Sequence, residues 1–154
     1  MIKKLQIGEI LVWGLNIVFV IINALNITTP ILAANNNILA GFLYLIFRPT
    51  CHQIAHRSYF FHGHQFAVCA RCTGIWLSAM ICGFIMALIL RKKNIKPISI
   101  KWFIISLIPL VIDGSFQFAG FYESTNTIRL ITGILASAGT VLYAFPRLWT
   151  AREV

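Results

Sequence analysis

Four long apolar runs dominate the chain, each close to the roughly 20 residues that a helix needs to cross a bilayer. They cover about residues 7–27, 73–90, 102–119 and 127–145. A shorter apolar run at residues 38–47 is too brief to cross unaided. The pattern predicts an all-α polytopic membrane helix bundle with four transmembrane helices, a short re-entrant or interfacial segment and a Cys/His loop at residues 48–72. We expect residues 1–154 to form a single integral membrane domain.

Two connecting segments carry turn signals. Residues 28–37 contain Pro30 and three consecutive asparagines, which predicts a polar exterior loop after the first helix. Aromatic residues flank His62-Gly63-His64, a pattern that predicts a turn or small hairpin centred on Gly63. Such a turn would bring Cys51 back towards Cys69.

Composition supports the membrane assignment. The chain is 58% hydrophobic and 11% charged, whereas soluble domains carry roughly 25% charged residues. The net charge of +9 would indicate nucleic acid in a soluble protein. Membrane proteins instead concentrate Lys and Arg on cytoplasmic flanks, so we expect the lipid bilayer as partner and no nucleic acid.

The positions of the charges predict the orientation. If the N-terminus is cytoplasmic and the short run does not cross, most basic residues lie inside: Lys3, Lys4, Arg91, Lys92, Lys93, Lys96, Lys101, Arg147 and Arg152. The outer side keeps only Arg48, Arg57, Arg71 and Arg129. The positive-inside rule therefore predicts a multi-pass protein of the cell membrane, with both termini cytoplasmic and the Cys/His loop on the outer face.

Residues 51–74 hold three of the four cysteines and all four histidines. Cys69-x-x-Cys72 has the spacing that lets two thiolates bind one tetrahedral ion, and Cys51 with His52 or His56 could complete a Cys₃His set. We expect zinc as the cofactor. The alternative without a metal is a structural disulfide plus a spare thiol.

Redox chemistry is the main competing hypothesis. An outer-face loop meets an oxidising compartment, where disulfides persist. Cys69 and Cys72 beside a helix start, with Cys51 on the same side, would suit electron relay between a thiol pair and a quinone. This likeness to disulfide-forming membrane oxidoreductases is an architectural analogy alone.

A second group of polar residues lies inside the third and fourth apolar runs. A charge such as Asp113 in a membrane helix is costly and marks a functional candidate by default. Gln117 shares its helix face, and Arg129 enters the next helix from the same side, so we expect an Asp113–Arg129 pair. We interpret Asp113, Gln117 and Arg129 as candidate catalytic residues. The alternative is a structural pair that fixes two helices.

Three further residues are candidate ligand-binding positions. Arg57 and Arg71 suit an anionic group such as a lipid phosphate, or they neutralise thiolates or Asp113. Asn126 either contacts the ligand or, like Ser124, caps the fourth helix.

The chain resembles a family of small bacterial and archaeal membrane proteins known as domain of unknown function 2085. The resemblance rests on Cys51-His52-Gln53, Arg57-Ser58, and Cys69-Ala70-Arg71-Cys72-Thr73-Gly74. A second block follows, with Asp113-Gly114, Gln117, Ser124, Asn126, Arg129, Thr132 and Gly133. The resemblance covers roughly residues 47–139. It favours His52 over His56 as a ligand and implies no established activity.

The sequence thus predicts a zinc-type site formed by Cys51, His52, Cys69 and Cys72, next to a polar intramembrane pocket. We expect the pocket to bind or process a lipid-linked or anionic small molecule. The alternatives are a thiol–quinone oxidoreductase and a non-enzymatic membrane subunit or transporter component with a structural metal. No motif identifies a reaction.

Overall fold

The computed structural model describes residues 7–150, so Lys3, Lys4 and Arg152, which were used to predict the orientation, lie outside the described residues. The elements are α1 (Ile7–Ala34), α2 (Leu39–Phe47), a 3₁₀ turn (Ala55–Arg57), β1 (Phe60–Phe61), β2 (His64–Gln65), α3 (Ala70–Lys92), α4 (Ile100–Phe118) and α5 (Asn126–Trp149). The predicted all-α fold class is confirmed. α1, α3, α4 and α5 are each long and apolar enough to cross a membrane.

The short helix α2 does not have the length of a span. Its nine residues measure about 14 Å at 1.5 Å per residue, against a hydrocarbon core of roughly 30 Å. Asn36, with φ of 53°, turns the chain between α1 and α2, a backbone conformation that Asn tolerates better than most residues. α2 therefore folds back against α1 as a short apolar segment, and Leu45 and Ile46 remain exposed on its surface.

The predicted polar loop at residues 28–37 is wrong for its first part, because α1 continues to Ala34 and includes Pro30. A proline is tolerated inside a membrane helix, so Pro30 does not end α1, and two neighbouring hydroxyls bond to carbonyls of the preceding turn. Thr28 donates to the carbonyl of Ala24, and Thr29 donates to that of Leu25, each at 2.7 Å. The remaining turn is confined to residues 35–38.

α3 and α5 form the central contact of the bundle, with α1 packed on α3 and α4 packed mainly on α5. Their N-terminal halves approach so closely that two glycines are required. A Cβ on Gly74 would collide with the carbonyl of Leu130, and one on Gly133 would collide with the carbonyl of Arg71. Small residues at such contacts let membrane helices pack backbone to backbone. This contact fixes Arg71 beside the start of α5.

The predicted hairpin is confirmed. β1 and β2 pair antiparallel, with Phe61 opposite His64. His62 and Gly63 both have positive φ, at 48° and 78°, as a two-residue type I′ turn requires. The hairpin returns the chain from the end of α2 to the start of α3, which brings the two ends of the Cys/His loop together.

Candidate functional site

Three cysteines of the loop meet at the N-terminal end of α3. Cys51 follows α2 and is buried, Cys69 is the N-cap of α3, and Cys72 lies in the first turn of that helix. Their sulfur atoms all lie within 4.8 Å of one another. All three are free thiols in the structure. We refer to Cys51, Cys69 and Cys72 as the thiol cluster.

Gln53 folds the segment after Cys51 into place. Its φ is 50°, and its side-chain amide donates to the carbonyl of Tyr44 at 2.7 Å and to that of Ala67 at 2.8 Å. These bonds connect the end of α2, the Cys51 segment and the approach to Cys69. The Gln53 side chain therefore sets the distance between the Cys51 segment and the segment that leads to Cys69.

Asn26 on α1 anchors the start of α3. It is 1% exposed. Its Oδ1 accepts from the backbone N–H of Val68 at 3.0 Å, and its Nδ2 donates to the hydroxyl of Thr73 at 3.3 Å. Directly after Val68, the backbone N–H of Cys69 donates to the sulfur of Cys51 at 3.1 Å. α1 thus contacts the residues that flank Cys69 and Cys72 through the buried side chain of Asn26.

Hydrogen bonding within the cluster makes Cys69 the preferred thiolate. Bonds from the Cys51 and Cys72 side chains lower the pKa of Cys69 well below its usual range. The same bond to Cys69 raises the pKa of Cys51, which stays the donor. A thiolate beside two thiols is the form that binds a soft or borderline metal and that attacks a disulfide.

The histidines are placed differently from the thiols. His52 is exposed; it lines a cavity beside Cys69 but does not belong to the group within 4.8 Å. His56 lies at 2.8 Å from the carboxylate of Glu123. The structure therefore brings together three of the four predicted metal ligands and leaves His52 next to them.

Asp113 is buried at 3% exposure and pairs with Arg71. The predicted Asp113–Arg129 pair is wrong. The other carboxylate oxygen accepts from the hydroxyl of Tyr122 at 2.5 Å, a bond that, with burial, holds the pKa of Tyr122 above its usual value. Arg71 also donates to Gln117 Oε1 at 3.3 Å. Arg71 belongs to the first turn of α3, which lies beside the C-terminal half of α4.

Arg129 is 2% exposed and makes its own contacts. It donates to Asn126 Oδ1 at 2.9 Å and lies 3.5 Å from Glu123. Asn126 in turn donates to the carbonyl of Ser58 at 3.1 Å. The alternative role of Ser124 or Asn126 as the cap of α5 does not apply, because Thr125 is the N-cap and accepts from Ile128 N at 3.3 Å. Asn126 instead joins α5 to the Cys/His loop.

Cys69 of the thiol cluster and several of these polar residues line one cavity of about 210 Å³. Its walls are His52, Ile54, Arg57, Cys69, Arg71, Gly114, Gln117, Phe118 and Arg129. Three of these wall residues each have a buried nitrogen without a hydrogen-bond partner among the described residues: Arg71 Nε, Gln117 Nε2 and Arg129 Nε. The predicted thiol and intramembrane groups thus face one shared space. Asp113 lies behind Arg71 and is not among the wall residues.

Sequence reasoning gave no role to Gln53, Tyr122 or Glu123. Gln53 was visible as part of the Cys-His-Gln motif, so its position beside two candidate ligands was a usable signal. Tyr122 and Glu123 lie in the short α4–α5 connection, where no spacing rule connects them to a helix face. Only the folded chain places them at Asp113 and Arg129.

These features define an α-helical, multi-pass membrane protein with a cysteine cluster at one end of its bundle. The profile of the family described as "Predicted membrane protein (DUF2085)" matches residues 51–143. The chain belongs to this family, and the predicted resemblance is confirmed.

Two archaeal relatives extend the comparison. An uncharacterized protein of Methanocaldococcus jannaschii is 42% identical over 105 residues, covering 68% of this chain and 67% of the relative. An uncharacterized protein of Methanothermobacter thermautotrophicus is 39% identical over 93 residues, covering 60% of this chain and 82% of the relative. No solved structure matches the chain.

Proposed function

We propose that this protein is a membrane metalloprotein in which the thiol cluster binds one zinc-type ion. The observation that carries the proposal is the mutual approach of three sulfurs to within 4.8 Å. Tetrahedral zinc with Zn–S bonds of about 2.3 Å places its sulfur ligands about 3.8 Å apart, so binding requires only a small contraction. His52 is the proposed fourth ligand because it adjoins Cys51 and borders the same cavity as Cys69.

The proposed orientation puts this metal site on the outer face of the cell membrane. With four crossings and a non-spanning α2, the thiol cluster lies at the bundle end opposite the α3–α4 connection. That connection and its flanks carry Arg91, Lys92, Lys93, Lys96 and Lys101. Cytoplasmic loops have this excess of basic residues, so both termini are assigned to the cytoplasm.

The metal organises the adjoining cavity in this proposal. A site with four protein ligands has no open position and is structural, so its role is to fix the loop wall that carries Arg57 and Cys69. Gln117 and Arg129 face the cavity from α4 and α5, and Asp113 orients Arg71. We assign the cavity to a lipid-linked or small anionic substrate, with Asn126 supporting Arg129.

Thiol–quinone redox chemistry is the second candidate function. It is favoured by the low pKa of Cys69 and by two free thiols within reach of it. Trapping thiols in intact cells would detect a Cys69–Cys72 disulfide that shifts with the quinone pool if this function is correct. Thiols that remain reduced under all respiratory conditions would exclude it.

Metal analysis of the purified full-length protein tests the main proposal. We expect about one zinc per chain, lost in Cys51→Ser, Cys69→Ser and Cys72→Ser, because each removes one thiolate of a tetrahedral set. Cys82→Ser is the matched control, since Cys82 lies further along α3 and contacts Ser78 at 3.7 Å. Folded wild-type protein that carries no metal after purification without chelators would refute the proposal.

A further inference from the structure

We infer that the cavity beside the thiol cluster binds a phosphate-type oxyanion, either a lipid phosphate headgroup or a free phosphate. The inference rests on the proposed function and deepens it by naming the ligand chemistry of the same site. It is carried by the hydrogen-bond donors in the cavity wall.

Three buried donors from three different helices lack acceptors among residues 7–150. They are Arg71 Nε on α3, Gln117 Nε2 on α4 and Arg129 Nε on α5. A buried donor without a partner costs about 1–3 kcal/mol, and more when it is charged. Arg129 is 2% exposed, so bulk water does not satisfy it. A ligand rich in acceptor oxygens supplies the missing partners.

The arrangement of donors favours a tetrahedral oxyanion over a carboxylate. Guanidinium groups match both phosphate and carboxylate oxygens. A carboxylate has two oxygens in one plane, whereas Arg71, Gln117 and Arg129 line the cavity from three separate helices. Arg57 adds a fourth side of the wall. A phosphate group directs oxygens to several of these walls at once.

The carboxylates nearby do not satisfy these donors. Glu123 is shared by Arg57, at 3.3 Å, and Arg129, at 3.5 Å. Asp113 accepts from Arg71 through a terminal nitrogen and leaves Nε free. The cavity therefore has more guanidinium donors than carboxylate acceptors to receive them.

The size and position of the cavity limit the ligand further. Its volume of about 210 Å³ is below the roughly 300 Å³ of pockets for drug-sized ligands. It accommodates a headgroup. Phe118, which is 95% exposed, lies at its edge near the end of α4. An apolar rim at this level lets an acyl chain stay in the bilayer while the phosphate enters.

Binding measurements on the full-length protein test the inference. One arm titrates inorganic phosphate into detergent-solubilised protein by calorimetry. The second compares protein in nanodiscs of phosphatidylcholine alone with nanodiscs that contain phosphatidic acid, and counts phosphatidic acid retained after delipidation. We expect saturable binding in at least one arm. Binding of phosphatidic acid without binding of inorganic phosphate identifies a lipid headgroup as the ligand. Binding of both identifies the phosphate group itself as the ligand.

Gln117→Glu is the diagnostic variant because it keeps the side-chain size and replaces an orphaned donor by a negative charge. We expect at least about a tenfold loss of affinity, equal to about 1.4 kcal/mol. Asn37→Asp is its control: it makes the same amide-to-acid change at the same end of the bundle, and the oxygen that accepts from Leu39 remains. Arg129→Gln is a second variant of the cavity wall. Its control is Arg147→Gln, at the opposite end of α5.

Separate readouts distinguish the two proposals. Zinc content is measured in every sample, so protein that holds zinc but binds neither phosphate nor phosphatidic acid overturns this inference alone. Protein that binds phosphate without zinc overturns the metal proposal alone. Equal loss of affinity in Gln117→Glu and Asn37→Asp would show general charge attraction and would also overturn the inference.

Discussion

At the scale of the residue, Asp113 depends on Arg71 and Tyr122 for its charge inside the bundle. Removing one partner of a buried ion pair costs about 3–5 kcal/mol because the other charge stays buried without compensation. We therefore expect Asp113→Asn to destabilise the protein by about that amount, measured by unfolding in mixed detergent micelles. Adding Arg71→Gln should restore part of the loss.

The control for Asp113 is Glu9→Gln, which removes the carboxylate that lies 3.4 Å from Arg91. The Arg91 side chain is 58% exposed, and exposed ion pairs contribute little to stability. A double variant no more stable than Asp113→Asn alone would contradict the assigned pair.

His52 provides a second prediction at this scale. Cobalt(II) replaces zinc in tetrahedral sites and reports its ligands through absorption. We expect His52→Ala to retain the metal, because the thiol cluster stays intact, and to change the cobalt spectrum as water replaces the imidazole. His62→Ala, on the hairpin turn, is the control. An unchanged spectrum in His52→Ala would remove His52 from the ligand set.

Residue pairing was the least predictable feature of the site. The spacing of Asp113 and Gln117 correctly placed both towards the polar interior, because helix periodicity defines faces. Helix periodicity does not define which neighbouring helix supplies the ionic partner of Asp113, so the sequence predicts Arg129 where the structure has Arg71. The observed pairing depends on the α3–α5 contact, which arises from the glycines and not from the charges.

At the scale of the element, the two glycines at the α3–α5 contact give the next prediction. Gly133→Ala places a methyl group against the carbonyl of Arg71, and overpacking costs about 1–3 kcal/mol. We expect this variant to lose stability and also zinc affinity, since Arg71 lies between Cys69 and Cys72. Melting temperature and metal content measure the two effects.

Gly14→Ala is the matched control in α1, where no atom lies within 4 Å of the added methyl. Alanine is favoured over glycine in a helix by roughly 0.5–1 kcal/mol, so this variant should keep or gain stability. Equal losses in Gly133→Ala and Gly14→Ala would show that helix propensity, and not the close contact, determines the outcome.

Helix ends show why element boundaries were only partly predictable. The apolar runs locate the spans because the bilayer sets their length. α1 extends beyond its apolar run to Ala34, because a membrane helix tolerates an internal proline such as Pro30. α3 starts at Ala70, before the apolar run, and Asn26 of α1 bonds to Val68 and Thr73 at this start. Hydropathy measures neither effect.

At the scale of the whole molecule, the lysines test the proposed orientation. All of them, Lys3, Lys4, Lys92, Lys93, Lys96 and Lys101, belong to the proposed cytoplasmic side. An amine reagent that cannot cross membranes should therefore leave the protein unlabelled in intact cells and label it after permeabilisation. Mass spectrometry identifies the modified sites.

Asn35→Lys is the positive control because it introduces an amine at the exposed turn after α1, on the proposed outer side. It should be labelled in intact cells. Modification of Lys92, Lys93 or Lys96 without permeabilisation would reverse the orientation.

The overall architecture was the most predictable feature, because four apolar runs of spanning length permit few arrangements. The shared cavity of Cys69, Arg71, Gln117 and Arg129 was only partly predictable. Charge placement assigned all four residues to the outer half, but the shared cavity arises from Gln53, Asn26 and the glycine contacts, which act over long sequence separations.

The Arg71–Asp113 pair also has a consequence for the biogenesis of the protein. An Asp in a lone membrane helix opposes insertion by about 2.5–3.5 kcal/mol at the helix centre, and by less towards the helix end, where Asp113 lies in α4. α3 precedes α4 in the chain, so in the proposed orientation Arg71 is already at the outer side of the bilayer when α4 leaves the ribosome. The two helices are therefore expected to enter the membrane as a pair, with the charge of the first compensating that of the second.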